Sequence, residues 1–493
     1  MRSQPARTSR PRSALPGFRL DRPASGPGWL RSRQNWLLAA GIAVFVVALG
    51  CYLAFTFTHP AVRWLSPVDL NVYRSSGRVV LGHGIDFNPR AAAPLYAWPG
   101  HGLKFTYTPF AGLLFTGLTL LPWPVLTHLS IGVNIAALVA AVWVTLGGLR
   151  CRPALARLGG TLLIAGVLLW TEPVQRTLYL GQIELVLMAL ILWDLCQPDR
   201  RWWKGAGVGL AAGIKLVPLI FIPYLLLARR FREAAVAAGA FAATVLIGFL
   251  VLPGDSRTWW LRSLFIRGSR TGFAGWEGNQ SLAGIITRLT GSIAAGKPSW
   301  LITAAVVLVV GVLAAALLDR AGHRVAGLVT CALTGLLVSP ISWDHHWVWI
   351  VPAVTLLAVY GVRARSWLRW AWLAGAVVVA GLFGAWPGFL WHRPLDLGGF
   401  SMGFIWLPPN TNPGTYQKLG DQSWYAEYHW HGFELVTGNL YVLSGLAGLV
   451  LLVAVASGSA RRARRTRRRS ATQSATSPTT AARSTTGAPS TTA

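Results

Sequence analysis

Residues 36–57 form the run WLLAAGIAVFVVALGCYLAFTF, which contains no charged side chain. A helix needs about 20 apolar residues to cross the hydrocarbon core of a bilayer, so this run predicts a transmembrane helix. A basic segment precedes it, as in a signal peptide, but the run is longer than an ordinary signal core and no small-x-small cleavage site follows closely. We therefore expect it to be retained as the first span.

The remainder of the chain has the composition of a membrane protein that crosses the bilayer many times. Of the 493 residues, 53% are hydrophobic and only 12% are charged, too few to coat a soluble protein of this size. Because both termini are predicted to be cytoplasmic, the number of crossings must be even, so we expect an all-α polytopic fold with about 12 transmembrane helices. The 13 candidate runs are 36–57, 109–122, 125–147, 157–171, 183–197, 204–216, 217–228, 233–252, 300–318, 324–338, 347–362, 367–386 and 435–456.

The net charge of +29 is concentrated in flanking segments, since arginines cluster in 1–33 and 461–469. Basic segments beside spans are typical of the cytoplasmic side of a plasma membrane, so we favour that interpretation over nucleic-acid binding and expect no nucleic-acid partner. The predicted organisation is a basic cytoplasmic segment at 1–35, a transmembrane domain at 36–456 and a basic, disordered cytoplasmic tail at 457–493.

Short loops rich in arginine alternate with longer segments that hold nearly all the acids outside the tails. Under the positive-inside bias the arginine loops face the cytoplasm, so the acids, and any chemistry, are expected on the extracytoplasmic side. The arginine loops lie around 150–152, 200–201, 229–232, 320–324 and 363–365. The longer segments are 58–108, 172–182, 253–299, 339–346 and 387–434.

The first outer segment contains Asp69, about a dozen residues after the first span. The stretch DLNVYRSSGRVVL, which begins there, has apolar residues spaced for a helix at the membrane surface. A carboxylate held beside such a low-dielectric surface can act as a general base. A solvated loop acid or a helix N-cap is the alternative interpretation.

Two groups of polar residues interrupt the apolar runs. The turn WTEPVQRTLYLGQIE (170–184) places Gln182 among several charged side chains, although solvated turns show similar patterns. Lys215 has about ten apolar or small residues on either side, and a lysine near the centre of a membrane helix costs about 2.5–3.5 kcal/mol. Such a lysine usually faces a cavity or a partner, but a snorkelling side chain fits the sequence equally well.

The stretch SPISWDHHWVWIVP (339–352) puts an acid and two histidines between apolar runs. An aromatic belt explains the tryptophans but not Asp344, His345 and His346, which we predict to form the outer rim of a cavity for an anionic, lipid-linked substrate. Adjacent histidines diverge on a helix, so we expect no metal site here. The four scattered cysteines indicate neither a disulfide framework nor a zinc site.

Two long segments add further polar and aromatic candidates. The stretch RGSRTGFAGWEGNQSLAGIITRL (267–289) contains guanidinium groups, which suit phosphate oxygens. The stretch LPPNTNPGTYQKLGDQSWYAEYHWHGFEL (407–435) is rich in aromatic rings, which could stack on sugars or pack as a lid.

With these stretches in order, the chain resembles the GT-C superfamily of integral membrane glycosyltransferases. More narrowly, it is similar to glycosyltransferase family 87, the actinobacterial polyprenyl-phosphate-mannose-dependent mannosyltransferases. The family often has Tyr-Pro-Pro where this chain has Tyr107-Thr108-Pro109. The matching stretches, which run from about residue 36 to 362, are DLNVYRSSGRVVLGHGIDF, FTYTPFAGLLFTGLTLLPW, YLGQIELVL, GLAAGIKLVPLIFIPYLLLARRFR, GNQSLAGIITRL and SPISWDHHWVWIVP.

The resemblance implies transfer of mannose from polyprenyl-phosphate-mannose to a mannolipid, forming an α-1,2 linkage with inversion. The acceptor implied is a phosphatidylinositol mannoside, lipomannan or lipoarabinomannan, and no metal or other cofactor is required beyond the lipid-linked donor. Asp69 matches the first-loop acid that serves the family as general base. Residues expected to bind the donor phosphate or substrate are Lys215, His345, His346, Asp344, Arg270, Arg288, Gln182, Asn279 and Gln280, and those expected to bind the acceptor are Tyr107, Trp424 and Tyr425.

Two other functions are compatible with parts of the pattern. A GT-C enzyme could use decaprenyl-phosphate arabinose as its donor. A flippase or transporter of lipid-linked sugars is the alternative from another class, but transporters tend to have internal repeats and charges at the membrane midplane. This chain has no evident repeat and gathers its acids on one predicted face, which favours an enzyme.

Overall fold

The computed structural model describes residues 28–58, 65–83, 94–96, 103–262, 272–387, 401–411 and 425–476. Helices account for nearly all the regular structure in these ranges. Short 3-10 helices occupy Phe115–Leu120, Val217–Ile220, Asp344–Trp349, Phe404–Trp406 and Ala426–His429, and a π-helical turn spans Arg257–Leu261. The α-helices are α1 (Gly28–Thr58), α2 (Val68–Val80), α3 (Pro109–Leu114), α4 (Trp123–Gly148), α5 (Ala154–Leu168), α6 (Glu172–Leu180), α7 (Glu184–Cys196), α8 (Ala206–Ile214), α9 (Phe221–Leu227), α10 (Phe231–Val251), α11 (Pro253–Ser256), α12 (Leu282–Thr290), α13 (Ile293–Arg320), α14 (Arg324–Val338), α15 (Ile350–Arg363), α16 (Trp367–Leu382), α17 (Phe433–Thr437) and α18 (Leu440–Thr476).

The all-α prediction is confirmed, with a minor exception. A two-stranded antiparallel ribbon pairs β1 (Trp386–Pro387) with β2 (Ser401–Met402). Each of the 13 predicted apolar runs lies on a helix or a pair of short helices. The expected count of 12 crossings is not confirmed, because six helices in the described part of the chain are long and apolar enough to span a membrane, or seven if α6 and α7 form one broken span.

The segment 172–182 was predicted to be a turn, and this prediction of its secondary structure was wrong. It forms α6, whose nine residues are all buried and whose axis is bent by 117° from that of α7. Pro173 lies in the first turn of α6, where a missing amide hydrogen costs nothing. Gly181 ends the helix with a φ of 67°, which a residue with a side chain adopts only with strain.

The helix predicted after the first span is confirmed as α2. Its buried face packs against α3 and the 3-10 helix that follows α3. The turn after α6 also approaches α2 closely, since a Cβ at Gly181 would lie 2.7 Å from the Cβ of Leu70. The Ser66 amide donates to the Tyr179 carbonyl over 3.1 Å, so the start of α2 is fixed against α6.

The C-terminal helix extends further than the sequence predicted. Helix α18 continues to Thr476, into the segment 457–493 that was predicted to be a disordered tail. Residues 477–493 lie outside the described ranges. At the other terminus, α1 begins at Gly28, within the predicted N-terminal segment.

Helices α7, α8 and α14 run between the same two ends of the molecule. At the basic end, the turns 197–205, 228–232 and 319–324 meet around Asp199, which accepts hydrogen bonds from Lys204 Nζ at 2.9 Å and Arg324 Nη2 at 2.7 Å. At the site end, α7 begins, α8 stops and α14 leads into the segment 339–346. The 13 residues of α7 separate the two ends by roughly 20 Å.

Candidate active site

Asp69 occupies the first turn of α2, at the site end, and its side chain is only partly exposed. Burial raises the pKa of its carboxyl above the ordinary value. A hydrogen bond from Gln182 and the nearby side chains of His345, Lys215 and Arg176 oppose that rise without cancelling it. The carboxylate therefore combines raised basicity with a fixed hydrogen-bond donor, which suits a general base.

The Gln182 side chain is oriented by two tyrosine hydroxyls. Tyr73 donates to Gln182 Oε1 over 2.5 Å and Tyr107 donates to the same oxygen over 3.2 Å, while the two hydroxyls are 2.7 Å apart. Because Oε1 accepts from the tyrosines, the amide NH₂ group is left to donate to Asp69. The structure thus brings Tyr107, predicted to bind the acceptor, and Gln182 into contact around Asp69.

Lys215 lies where α8 breaks, with an extended backbone that ends the helix. Its ammonium contacts Glu184 Oε1, lies 3.0 Å from His346 Nε2 and sits 5.3 Å from the centre of the Tyr107 ring. A lysine between apolar segments is stable when a cavity or a counter-charge receives it. Lys215 has both, because Glu184 balances its charge and its side chain remains 19% exposed.

Asp344 and His345, which were predicted on the outer rim of a cavity, are buried, at 2% and 4% exposure. They lie on the 3-10 helix before α15. Asp344 Oδ2 is 3.2 Å from Arg176 Nε, and Asp344 Oδ1 is 3.0 Å from His345 Nδ1. Glu172 is in hydrogen-bond contact with Asp344 and accepts from Trp406 Nε1 at 3.0 Å.

Glu184, His345 and His346 bring one potential ligand atom each within 4.8 Å of one another, in the part of the chain that the structure describes. The expectation that the adjacent histidines diverge was therefore wrong: their rings pack edge to face, with centroids 4.7 Å apart. One carboxylate and two imidazoles occur in zinc sites. The Lys215 ammonium contacts both Glu184 and His346, so a divalent ion at these atoms would compete with it.

An apolar groove with about 410 Å³ of empty space, part of it open to the surroundings, leads away from Lys215. Its charged or polar lining, Glu184, Lys215 and His346, belongs to the cluster just described. The remaining lining residues are Leu187, Met188, Ile191, Val217, Pro218, Leu336, Val348 and Trp349. A molecule with an anionic head and a hydrocarbon tail matches this combination of surfaces.

Comparison with known proteins identifies the family. A model of glycosyltransferase family 87 matches residues 105–340. The polyprenol-phosphate-mannose-dependent alpha-(1-2)-phosphatidylinositol mannoside mannosyltransferase of Mycobacterium tuberculosis strain H37Rv is 34% identical over 362 residues, covering 70% of this chain and 80% of that protein. The corresponding pentamannoside mannosyltransferase of strain CDC 1551 is 33% identical over 420 residues, covering 83% and 87%. The chain belongs to glycosyltransferase family 87.

An alpha-(1->3)-arabinofuranosyltransferase of Mycobacterium tuberculosis strain CDC 1551 is a weaker relative of this family 87 chain. It is 27% identical over 306 residues, which cover 59% of the chain and 66% of that protein. The likeness is lower in both identity and coverage than that to the two mannosyltransferases.

Three residues of this glycosyltransferase that were predicted to bind the donor or substrate form hydrogen bonds within the protein. Asn279 accepts from the Ser342 amide at 2.9 Å, and Gln280 Nε2 donates to the carbonyls of Glu277 and Gly438. The buried Arg288 donates to Asn439 Oδ1 at 2.6 Å and to nearby backbone carbonyls. The Asn279 bond fixes the segment 339–346, which carries Asp344 and the histidines, while the Arg288 bond to the Asn279 carbonyl holds Asn279 itself.

The predicted contributors from the two long loops do not join the Asp69 cluster in the described structure. Tyr425 is buried and packs edge to face on Phe273, with ring centroids 4.6 Å apart. Arg270 and Trp424 lie outside the described residues.

Sequence reasoning did not select Tyr73, Arg176, Glu184 or Glu172 for the site of this family 87 enzyme. Three of them belong to the polar turn that was noted at 170–184, and its density of charges between apolar runs was the available signal. Tyr73 was counted as an apolar residue of α2. Its phenolic hydroxyl matters only because Gln182 folds against it.

Proposed function

We propose that this protein transfers mannose from polyprenyl-phosphate-mannose to a mannolipid, forming an α-1,2 linkage with inversion at the anomeric carbon. The observation that carries the proposal is that Lys215 and His346 line an apolar groove, with Asp69 close to Lys215. A base and a phosphate-binding cation are the two groups that an inverting transfer from a phospholipid donor needs. The two similar mannosyltransferases carry this donor and linkage in their names.

In the proposed reaction, Asp69 removes the proton from an acceptor hydroxyl as its oxygen attacks the anomeric carbon. The bond to the phosphate oxygen breaks on the opposite face, and its electron pair leaves with the polyprenyl phosphate. The raised pKa of Asp69 strengthens it as a base, while the hydrogen bond from Gln182 holds its orientation.

Lys215 and His346 are the proposed ligands of the leaving phosphate, and the groove receives the first prenyl units. An ammonium in a largely water-excluded site stabilises the developing negative charge more strongly than it would in water. Glu184 holds the ammonium in place before the substrate binds. Because this ammonium supplies the electrostatic stabilisation, the mechanism requires no metal ion.

The helices make the protein an integral membrane protein, and we propose that its active site faces the extracytoplasmic side. Three arginine-bearing turns gather at the basic end, roughly 20 Å from the site along α7. The positive-inside bias would place that end in the cytoplasm. The acceptor is then a phosphatidylinositol mannoside, lipomannan or lipoarabinomannan exposed on the outer leaflet.

The test is mannose transfer in isolated membranes that contain wild type, Asp69→Asn or Glu434→Gln. Glu434 is a matched control because its carboxylate is partly exposed on α17 and contacts His431. We expect labelled polyprenyl-phosphate-mannose to mark mannolipids with wild type and Glu434→Gln, and transfer to fall by about 10²–10⁴ with Asp69→Asn at equal protein level.

Each alternative gives a distinct result in the same assay. Full activity of Asp69→Asn would remove Asp69 from the chemistry. Turnover with decaprenyl-phosphate arabinose but not with the mannose donor would show that the protein is an arabinosyltransferase and not a mannosyltransferase. Movement of lipid-linked mannose across vesicles without transfer would indicate a flippase.

A further inference from the structure

His345 is held on one side by a carboxylate that can only accept hydrogen bonds. Asp344 Oδ1 is 2.9 Å from the His345 backbone nitrogen and 3.0 Å from its Nδ1. Arg176 lies 3.2 Å from the other oxygen of Asp344 and balances its charge. Nδ1 therefore carries a proton, and in the neutral ring the second nitrogen, Nε2, is a bare acceptor.

The Nε2 atom of His345 is buried and has no hydrogen-bond partner among the described residues. Most buried polar atoms in proteins have a partner, since an unpaired one loses its bond to water without replacement. A buried acceptor that the described residues leave unpaired, beside the His346 that lines the groove, is therefore suited to a donor that arrives with the substrate.

His345 lies between the two groups that the proposed mechanism uses. A ring nitrogen of His345 is within 4.8 Å of the ligand atoms of Glu184 and His346, beside the proposed phosphate site. On its other side the ring lies near the Asp69 carboxylate. In the proposed reaction the sugars occupy this space, because the anomeric carbon has to meet both the base and the leaving phosphate.

We propose that His345 Nε2 accepts a hydrogen bond from one sugar hydroxyl of a bound substrate and thereby selects for that hydroxyl. The inference rests on the proposed glycosyl transfer and adds to it a residue that determines specificity. The hydroxyl belongs to the mannose of the donor or to the terminal sugar of the acceptor. His345 thus differs from the phosphate ligand that the sequence suggested.

A site that hydrogen-bonds a substrate hydroxyl rejects an analogue that lacks it, because the buried acceptor is then left unpaired. Nε2 carries no hydrogen in this form of the ring, so it cannot donate to a fluorine that replaces the substrate hydroxyl. It also gains no hydrogen bond when the hydroxyl is replaced by hydrogen. A single position of one sugar should therefore be much more sensitive to deletion than its neighbours.

The experiment measures kcat/KM for wild type and His345→Asn with two sets of substrates. One set is polyprenyl-phosphate-mannose lacking a single sugar hydroxyl at C2, C3, C4 or C6, and the other is the acceptor lacking single hydroxyls of its terminal sugar. Asparagine can keep the amide donor towards Asp344 but has no atom at the Nε2 position. His345→Gln is the matched variant, because its longer side chain places an amide near Nε2 and gives up the bond to Asp344.

We expect wild type to lose about 10- to 100-fold in kcat/KM at one hydroxyl, and His345→Asn to reduce the penalty at that position to within about twofold while the other penalties persist. A tenfold loss corresponds to about 1.4 kcal/mol of transition-state stabilisation. His345→Gln should recover part of the selectivity. The set in which the sensitive position falls identifies the donor or the acceptor as the source of the hydroxyl.

Two results would overturn this inference while leaving the proposed function intact. One is a wild-type enzyme for which no single hydroxyl costs more than about threefold, a result that needs no variant to fold. The other is an unchanged pattern of penalties in His345→Asn, which would mean that the residue and the hydroxyl act independently. If wild type transfers no mannose at all, both the proposed function and this inference are wrong.

Discussion

The two ends of α7 and α8 each hold a lysine beside a carboxylate, yet the clusters differ in kind. At the basic end Lys204 donates to Asp199 at 2.9 Å and to the Gln197 carbonyl at 2.7 Å, and its side chain is only 1% exposed. At the site end Lys215 contacts Glu184 and lines an open groove. The first lysine is enclosed by protein, whereas the second faces space that a ligand can fill.

The two aspartates differ in the same way. Burial alone would raise the pKa of Asp199, but the hydrogen bond from Lys204 and the charge of Arg324 outweigh it and hold that pKa well below its ordinary value. Burial dominates at Asp69 and raises its pKa. A carboxylate committed to neighbouring cations links loops, whereas one with raised basicity can exchange a proton.

The largest difference between the two ends is expected when each lysine is substituted. We expect Lys215→Met to lower the rate of mannose transfer by about 10²–10³, the cost of losing one group that stabilises transition-state charge. Lys204→Met should lower the melting temperature and leave the rate per folded molecule nearly unchanged. Initial rates and thermal melting in detergent check both variants, and equal losses of rate would abolish the distinction.

Asp319→Asn should affect stability rather than chemistry. Asp319 is buried at the basic end, where Arg230 donates to its oxygens at 2.5 and 2.8 Å and the Tyr224 hydroxyl donates at 3.1 Å. Breaking this pair should cost about 2–3 kcal/mol, below the usual cost for a fully buried pair because Arg230 is one-fifth exposed. The measurement is thermal melting in detergent. An unchanged melting temperature with reduced turnover would contradict the assignment.

Tyr73→Phe tests how the site end is organised. Loss of its hydroxyl leaves Tyr107 as the remaining tyrosine donor to Gln182 Oε1, so the amide should hold Asp69 less firmly. We expect a reduction of about 2- to 10-fold in kcat, the range of one net hydrogen bond. Tyr360→Phe is the control, since that hydroxyl lies 3.4 Å from His323, far from Asp69 in the fold. An equal effect in both variants would show that the orientation of Gln182 is not responsible.

The pKa shifts predict a pH range in which the protein is folded but inactive. Asp69 acts as a base only when ionised, so transfer should fall as the pH drops through its raised pKa. The pKa of Asp199 is lower in the folded state than in the unfolded state. Its contribution to stability is therefore complete at pH values above the unfolded pKa of about 3.9, and it is lost only as the pH falls through the folded-state pKa. Rates and melting temperatures measured from neutral pH down to about 4 check this, and parallel loss of both would contradict it.

Much of the architecture follows from the order of apolar runs, because the bilayer imposes the length and helical form of each span. The interruptions between the helices were harder to predict. Residues 172–182 are polar enough for a loop, but α6 folds inward because Arg176 is buried with Asp344 and Glu172 accepts from Trp406 and Tyr441. Those partners lie far away in the chain, so no local pattern contains the information.

The candidate site likewise has residues that the sequence revealed and contacts that only the structure revealed. Asp69, Lys215 and the pair His345 and His346 were recognisable from the sequence, because ionisable residues beside apolar runs are costly and stand out. Arg288 stood out for the same reason, yet it forms hydrogen bonds within the scaffold. A charged residue in an apolar setting is therefore detectable from sequence, but the sequence does not reveal whether its partner is a protein atom or a ligand.

By itself, the sequence determined that the chain is a helical membrane protein with arginine-rich turns and with an acid, a lysine and a histidine pair near the ends of its apolar runs. Hydrophobic length and charge are local properties, which residue order specifies directly. The tertiary structure alone decided which nitrogen of His345 has no partner among the described residues, that Lys215 lines a groove and that Gln182 faces Asp69. Each of these depends on where distant segments meet, and close packing of α2, α6, α7 and the segment 339–346 fixes those positions together.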